Sequence, residues 1–176
     1  MILRKARISD LNCIMEVEKS SFIPQIQEES SVFSERIRLC GDLFLVFENE
    51  GKVCGYCSAE IMEKLPQSAD ELKLGHSPKA LNAEENLKGY IYISSFALLP
   101  QNRGCGFGKK MWNESLEYFH KIFPALNFIL LVNEEWKGAV HIYSSSGFEQ
   151  VKVFEDFFPS NVQKHSNGIL MIKNHF

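Results

Sequence analysis

The stretch of residues 90–119 limits the folds open to this chain more than any other part of the sequence. Residues 90–99 are rich in aromatic and branched apolar side chains, which are typical of a central strand. Pro100 ends that strand, because proline has no backbone N–H to donate to a strand ladder. From Lys109 onward, apolar residues recur at helical spacing. The sequence therefore predicts a buried strand, a short turn and an amphipathic helix in succession.

The turn between this strand and this helix is rich in glycine, with Gly104, Gly106 and Gly108 at every second position. Glycine has no side chain, so backbone N–H groups can point into a shared concavity there and a bulky anion can approach closely. The positive end of the helix dipole faces the same space. A strand, a glycine turn and a helix N-terminus in this order predict a site for a phosphate or pyrophosphate group.

Two common nucleotide-binding patterns do not fit the turn. A dinucleotide fingerprint, G-x-G-x-x-G, requires a third glycine at the position where this chain has Lys109. A nucleotide P-loop requires Ser or Thr after its lysine, and the residue after Lys109 is a second lysine. The pattern Q-x-x-G-x-G, filled by Gln101, Gly104 and Gly106, is the one that remains.

Composition and charge limit the cellular compartments and the kinds of partner that we expect for this chain. A length of 176 residues predicts a single domain, residues 1–176. The net charge of −3 gives no basic surface of the kind that nucleic acids require. No apolar run approaches about 18 residues, and the N-terminal segment is charged where a signal peptide is apolar. Five scattered cysteines indicate free thiols. We therefore expect a cytoplasmic monomer or homodimer with no nucleic-acid or membrane partner.

Periodicity and turn signals predict the elements outside the central stretch. Strands are predicted at residues 2–6, 43–48, 53–61, 127–132, 148–154 and 169–173. Helices are predicted at residues 11–18, 31–39 and 136–146. The order is strand, two helices, three strands, helix, strand, helix and two strands, which indicates an α/β protein with a mixed sheet flanked by helices.

Two segments are predicted to lie outside these elements. Residues 63–89 form a polar insertion without a sustained period, and it is longer than a routine connection. The insertion is either a loosely packed surface excursion or a lid or wall over a substrate site. Residues 156–168 are predicted as the loop between the last two strands. No metal site is expected, because Cys54 and Cys57 would face opposite sides of their strand.

Two motifs together resemble those of the GCN5-related N-acetyltransferase (GNAT) superfamily. LLPQNRGCGFGKKM, residues 98–111, resembles its V-x-P-x-x-R-G-x-G-x-G signature, the pyrophosphate loop for acetyl-CoA. AVHIYSSSGF, residues 139–148, is similar to its A-x-x-x-Y-x-x-x-G-F element. Both motifs lie on the expected elements, and the resemblance covers nearly the whole chain except the insertion. It implies a mostly antiparallel sheet of about six or seven strands, with a splay between residues 90–99 and 127–132.

The resemblance also implies a function and a set of site residues. The function is the transfer of an acetyl group from acetyl-CoA to a primary amine, by direct attack in a ternary complex. The amine would belong to a small molecule or to a peptide or protein N-terminus. Tyr143 corresponds to the general acid that protonates the CoA thiolate. The residues expected to bind acetyl-CoA are Phe96, Ala97, Leu98, Gln101, Arg103, Gly104, Cys105, Gly106, Phe107, Gly108, Lys109 and Asn133.

These residues are expected to act on different parts of the cosubstrate. Backbone groups around residues 96–98 would pair with the pantetheine arm and polarise the thioester carbonyl. Arg103 would add charge to the pyrophosphate or remain a solvated turn residue. Trp136 stands where the superfamily often has an asparagine that contacts pantetheine, and Asn133 is the candidate substitute. Phe157, Phe158 and Pro159 would line the acceptor pocket or pack within a loop.

The acceptor and its general base stay open at this point. The beginning of the chain resembles arylalkylamine-type acetyltransferases, whose catalytic histidines would fall on residues 90–99, where there is none. The end resembles ribosomal-protein N-terminal acetyltransferases, whose acidic base aligns near Leu131. Candidates for deprotonating the amine are Glu134, Glu135, Tyr92 and Ser94. The alternative is a non-catalytic acyl-CoA-binding or regulatory module.

Overall fold

The computed structural model describes residues 2–75, 78, 88–159 and 165–174. Its strands are β1 Ile2–Lys5, β2 Phe44–Asn49, β3 Lys52–Met62, β4 Tyr90–Leu98, β5 Asn127–Asn133, β6 Glu149–Phe158 and β7 Ser166–Lys173. Its helices are α1 Leu11–Ser21, α2 Ser30–Leu39, α3 Phe107–Ile122 and α4 Lys137–Ser145. These elements confirm the predicted α/β class and the predicted order of strands and α-helices.

All seven strands belong to one sheet, in the order β1-β2-β3-β4-β5-β7-β6. Neighbouring strands are antiparallel except β4 and β5, which are parallel. Helix α3 provides the crossover between that parallel pair, as a parallel connection requires. The sheet is therefore mixed and mostly antiparallel, as predicted.

The parallel pair of strands separates part-way along its length. β4 and β5 are in register from Tyr90 with Asn127 to Ile93 with Leu130, and the recorded pairing stops there. On the other edge of β4, the register with β3 shifts where Ser58 pairs with Ser95, which leaves Ser94 as an extra residue. A bulge of this kind bends its strand and re-aims its side chains. The predicted splay is confirmed, and it begins at this bulge.

Both faces of the sheet are covered, which gives the molecule two principal cores. On one face, α3 buries Met111, Trp112, Leu116 and Phe119 against the sheet. On the opposite face, α1 and α2 pack on the first strands through a second set of buried residues. That set includes Ile14, Val17, Phe33, Phe44 and Tyr56. The helices thus hold the two halves of the sheet in place around the splay.

The segment after residue 154 corrects the predicted loop at residues 156–168. β6 continues to Phe158, and β7 begins at Ser166. Asp156 has a positive φ of 51°, at a point where the register between the two strands shifts. The Asn167 side-chain oxygen accepts the Asp156 backbone N–H at 3.0 Å. The strand therefore continues through a local kink at Asp156. The residues D-F-F-P resemble a loop sequence, which is why the prediction ended the strand too early.

The described part of the predicted insertion packs on the sheet. Residues 69–72 form a short 3-10 helix, and its Leu72 is buried in a small cluster on the sheet. That cluster also contains Tyr92, Ile129, Phe154 and Leu170. The Gly75 backbone N–H donates to the Glu28 carboxylate at 3.1 Å. Residues 76–77 and 79–87 of the insertion lie outside the described residues.

The cysteines are free thiols, as predicted. Cys54 and Cys57 belong to the same buried cluster under α3, so the prediction that they face opposite sides was wrong. The register between β2 and β3 shifts beside Cys54, where Phe47 pairs with Gly55 and Glu48 pairs with Val53. The described residues contain no group of three or more His, Cys, Asp or Glu side chains placed to hold a metal ion.

Among the residues that the structure describes, no helix has both the length and the apolar character needed to cross a membrane.

Candidate active site

A cavity of about 1180 Å³ occupies the gap where β4 and β5 separate. Its wall is formed by α1, α2, β4, the glycine turn, β5, α4, the described part of the insertion and the end of β6. Typical ligand pockets measure about 300–1,000 Å³, so this space can hold an extended ligand and a second molecule beside it. Because the lining includes the glycine turn beside α3 and also residues of α1 and α2 on the other face, the cavity connects the two faces of the sheet.

One end of the cavity has the features of an anion site. Gly104 and Gly106 have φ angles of 80° and 84°, which L residues with side chains rarely adopt. Gly106 is the residue immediately before α3, so the helix N-terminus faces this turn. A Cβ added at either glycine would have no neighbour within 4 Å, so the turn leaves open space beside it. Arg103 and Lys109 also line this end, and both are cationic.

Arg103 also ties the glycine turn to the rest of the fold. Its Nε donates to the Leu98 carbonyl at 2.8 Å, and its Nη2 donates to the Ser21 hydroxyl at 2.9 Å. The guanidinium thus joins the turn to the end of β4 and to the last residue of α1. Part of its hydrogen-bonding capacity is structural, while its charge remains at the anion end of the cavity.

The structure brings most of the predicted cosubstrate residues to the cavity wall. Those that line it are Phe96, Ala97, Leu98, Arg103, Gly104, Gly106, Gly108 and Lys109. The predicted general acid, Tyr143, lines it as well. Those that lie outside the lining are Gln101, Cys105, Phe107 and Asn133. Asn133 is buried, and its side-chain oxygen accepts the Glu135 backbone N–H at 2.8 Å. Asn133 thus shapes the turn before α4, whereas Trp136 itself lines the cavity.

Tyr143 lies on α4 and lines the cavity. Its ring centroid is 4.4 Å from that of Trp112, and its side chain is buried. Burial raises the pKa of the Tyr143 phenol above its ordinary value, and the nearby Cys57 thiol adds to the rise. The phenol therefore keeps its proton at neutral pH, which is the state that a proton donor needs.

A row of three aromatic rings lies along the cavity wall. Phe22, which follows α1, lies 5.7 Å from Trp136, and Trp136 lies 5.3 Å from Phe158 at the end of β6. All three residues line the cavity, as do Phe157 and Pro159. The N-terminal and C-terminal halves of the fold thus meet through aromatic contacts, and the adjoining part of the cavity is apolar.

The opposite end of the cavity contains buried charges that the sequence analysis did not identify. Arg36 of α2 is 3% exposed, and its Nη2 donates to the Glu28 carboxylate at 3.2 Å. Its Nη1 donates to the Ser94 hydroxyl at 3.3 Å. Ser94 in turn donates to the Ser58 carbonyl at 3.2 Å. This network attaches α2 and the segment before it to the bulge in β4.

Glu18 is the second buried carboxylate at this end. It lies on α1, is 1% exposed, and accepts the Glu28 backbone N–H at 2.8 Å and the Tyr56 hydroxyl. Burial raises the pKa of Glu18, while the hydrogen bond from Tyr56 opposes the rise. The sequence does contain a sign of this burial. Glu18 follows Ile14 by four residues, so the two side chains share the apolar face of α1.

The four residues predicted as candidates for the general base separate into two pairs. Glu134 accepts the Asn167 backbone N–H at 3.0 Å, Glu135 is exposed, and neither lines the cavity. Tyr92 and Ser94 do line the cavity. Burial raises the pKa of Tyr92, and the charge of the buried Glu60 on the neighbouring strand adds to the rise.

Comparisons with known proteins agree with this architecture. The model of the acetyltransferase (GNAT) family matches residues 11–148. An N-alpha-acetyltransferase of Sulfurisphaera tokodaii is 24% identical over 159 residues, which cover 89% of this chain and 84% of that protein.

Two solved structures illustrate the likeness of fold. The loading GNATL domain of CurA from Lyngbya majuscula superposes with a TM-score of 0.78 at 13% identity, over 98% of this chain and 96% of that chain. Chaetomium thermophilum Naa20, solved in complex with a bisubstrate analogue, superposes with a TM-score of 0.71 at 18% identity, over 99% and 87%. The family model spans most of this sequence, and the fold agrees with it. The chain therefore belongs to the acetyltransferase (GNAT) family and is an N-acetyltransferase.

Proposed function

We propose that this enzyme transfers the acetyl group of acetyl-CoA to the N-terminal α-amine of a peptide or protein. The observation that carries the proposal is a single cavity that joins a basic glycine turn to a carboxylate-lined end through the gap between β4 and β5. The first end suits the pyrophosphate of the cosubstrate, and the second suits an amine. The likeness to an N-alpha-acetyltransferase supports the choice of acceptor.

In the proposed complex, acetyl-CoA lies along the cavity. Backbone N–H groups of the glycine turn, the start of α3 and the side chains of Arg103 and Lys109 hold its pyrophosphate. The pantetheine arm passes between β4 and β5, beyond Ile93, where β4 has backbone groups not used in pairing with β5. Backbone groups of residues 96–98 pair with this arm and polarise the thioester carbonyl.

The reaction is a direct attack on the thioester. The neutral amine nitrogen forms a bond to the carbonyl carbon, and the bond between that carbon and the CoA sulfur breaks. The departing thiolate takes the proton of the Tyr143 hydroxyl, and the proton that becomes surplus on nitrogen passes to water in the cavity. A proton from that water then restores the Tyr143 phenol. Tyr143 fits the acid role because its buried phenol keeps its proton at neutral pH.

An α-amine is a chemically suitable acceptor. Its ordinary pKa is about 7.7–8.0, whereas that of a lysine side chain is about 10.4, so a far larger fraction is neutral at neutral pH. The aromatic row of Phe22, Trp136 and Phe158 offers an apolar surface beside the reaction centre for the first side chains of a peptide. Removing a proton to make the amine nucleophilic therefore costs less free energy for an N-terminus than for a lysine side chain.

The first prediction concerns the reaction itself. We expect release of CoA thiol that depends on both acetyl-CoA and a peptide with a free N-terminus. A thiol reagent measures the released CoA, and mass spectrometry measures the acetylated peptide. The same peptide with a blocked N-terminus and an internal lysine is the control, and we expect it to be a poor acceptor. Binding of acetyl-CoA without transfer to any peptide or small amine would contradict the proposal and favour a non-catalytic CoA-binding module.

The second prediction concerns Tyr143. Tyr143→Phe should lower kcat by about 10²-fold, the lower part of the range for loss of a general acid, and leave the affinity for acetyl-CoA unchanged. The ring contact with Trp112 is retained, so folding should be preserved. Tyr118→Phe is the matched control, because that phenol lies on α3 outside the cavity. An unchanged kcat in Tyr143→Phe would remove Tyr143 from the mechanism.

The third prediction concerns the glycine turn. Gly106→Ala should abolish most of the thermal stabilisation by acetyl-CoA, which for the native enzyme corresponds to about 2.7 kcal/mol at 100 times Kd. The reason is that a Cβ at a φ of 84° strains the turn that should hold the pyrophosphate.

Gly51→Ala is the matched control for this substitution. Gly51 has a similar φ of 76° and open space around it, but it lies in the hairpin between β2 and β3. Both variants should melt earlier than the native enzyme without ligand, and Gly51→Ala should keep the full shift with acetyl-CoA. An equal ligand shift in the two variants would argue against a pyrophosphate site at Gly106.

A further inference from the structure

Three side chains form a continuous hydrogen-bonded chain from the cavity into the core under α1. The Ser95 hydroxyl of β4 lies 2.7 Å from the Tyr56 hydroxyl of β3. The Tyr56 hydroxyl donates to the Glu18 carboxylate of α1. Ser95 is half-buried at the cavity, whereas Tyr56 and Glu18 are 0% and 1% exposed. Glu18 also borders the cavity. The chain thus links a half-buried hydroxyl that a substrate can reach to a carboxylate with almost no exposure to solvent.

The direction of the hydrogen bonds follows from the chemistry of the three groups. Both Glu18 oxygens are acceptors, one from the Glu28 backbone N–H at 2.8 Å and the other from Tyr56. An ionised carboxylate can only accept, and a phenol has a single hydrogen. Tyr56 therefore gives its hydrogen to Glu18, and Ser95 gives its own to the Tyr56 oxygen. This arrangement leaves Ser95 Oγ with lone pairs available to a group in the cavity.

The cavity end of the chain lies at the start of the gap between the strands. Ser95 follows the bulged residue Ser94, two residues after the last pair of β4 with β5, and it directly precedes residues 96–98. The ring centroids of Phe33 and Phe44 lie 5.3 Å and 5.8 Å from that of Tyr56. These rings fix the phenol in place and keep water away from it. The Tyr56 phenol is therefore held in place away from solvent, and the Ser95 end of the chain lies next to the proposed thioester position.

The charges around Glu18 suit a group that accepts a proton. Burial raises the pKa of Glu18, the neighbouring Glu28 carboxylate adds to the rise, and the Arg36 guanidinium opposes it. Burial and Glu18 together raise the pKa of Tyr56 well above its ordinary value, so the phenol stays neutral. A carboxylate with a raised pKa binds a proton more readily than an exposed one, and a neutral phenol can pass that proton on.

We propose that Ser95, Tyr56 and Glu18 form a relay that takes up the proton which the acceptor ammonium must lose before attack. An N–H bond of the ammonium breaks and its proton goes to Ser95 Oγ, while the Ser95 proton moves to Tyr56 Oη and the Tyr56 proton to Glu18 Oε2. The amine becomes neutral and Glu18 becomes a carboxylic acid. Once the product has left, the hydrogens shift back along the chain, and one proton passes from Ser95 to water in the cavity. The inference rests on the proposed acetyl transfer to an amine.

The test compares Ser95→Ala, Tyr56→Phe and Glu18→Gln with the native enzyme, using acetyl-CoA and an N-terminal peptide. Each variant should lower kcat/KM for the peptide by about 10²-fold near neutral pH, with an unchanged KM for acetyl-CoA. Because free amine needs no proton acceptor, the deficit should narrow as the pH rises above the α-amine pKa of about 8. In the native enzyme, activity should fall as the pH drops through the raised pKa of Glu18, and Glu18→Gln should lose that limb.

Ser115→Ala is the matched control for loss of a buried hydroxyl, since Ser115 Oγ donates to the Met111 carbonyl within α3, outside the cavity. Melting temperatures identify any relay variant that does not fold. If Tyr56→Phe or Glu18→Gln is unfolded, the kinetics of Ser95→Ala, which removes a single oxygen, test the relay. Transfer by the native enzyme with unchanged kinetics in Ser95→Ala and Tyr56→Phe would overturn the relay alone. A deficit that stays constant with pH would also overturn it, because that indicates a structural role. No transfer by the native enzyme would overturn the proposed function and the relay together.

Discussion

The separation of β4 from β5 is the constraint on which the rest of this structure depends. Two parallel strands that stayed paired along their full length would close the sheet and leave no space between them. Here the recorded pairing ends at Ile93 and Leu130, and the bulge at Ser94 bends β4 away. Helix α3 and its core hold one side of the gap, while β7 continues to pair with β5 on the other. The cavity is therefore a consequence of sheet topology.

Charged side chains give the cavity two chemically different ends. The glycine turn, the N-terminus of α3, Arg103 and Lys109 make one end attractive to anions. The other end contains Glu18 and Glu28 with Arg36, and the raised pKa of Glu18 reflects the cost of burying its charge. An anionic cosubstrate and a cationic acceptor would therefore approach from opposite ends and meet at the gap between the strands.

Much of the fold followed from local sequence patterns, whereas the acceptor end did not. The glycine turn and the Tyr143 motif are each a continuous stretch of sequence. The residue pattern within each one therefore indicates its secondary structure, and their resemblance to family motifs indicates the cosubstrate end. The chain formed by Glu18, Tyr56 and Ser95 comes from three distant segments, and only the sheet register brings them together. Similarly, no local signal shows that a strand passes through Asp156, because the neighbouring Asn167 side chain supports its positive φ.

The central claim is that acetyl-CoA lies in the gap between β4 and β5 with its pyrophosphate at the glycine turn. A crystal structure of the complex with acetyl-CoA tests it most directly. We expect pyrophosphate density at residues 103–108, a pantetheine arm between β4 and β5 beyond Ile93, and the thioester sulfur within hydrogen-bonding reach of Tyr143 Oη. Acetyl-CoA bound away from the glycine turn, or with its pantetheine arm outside the gap, would contradict it.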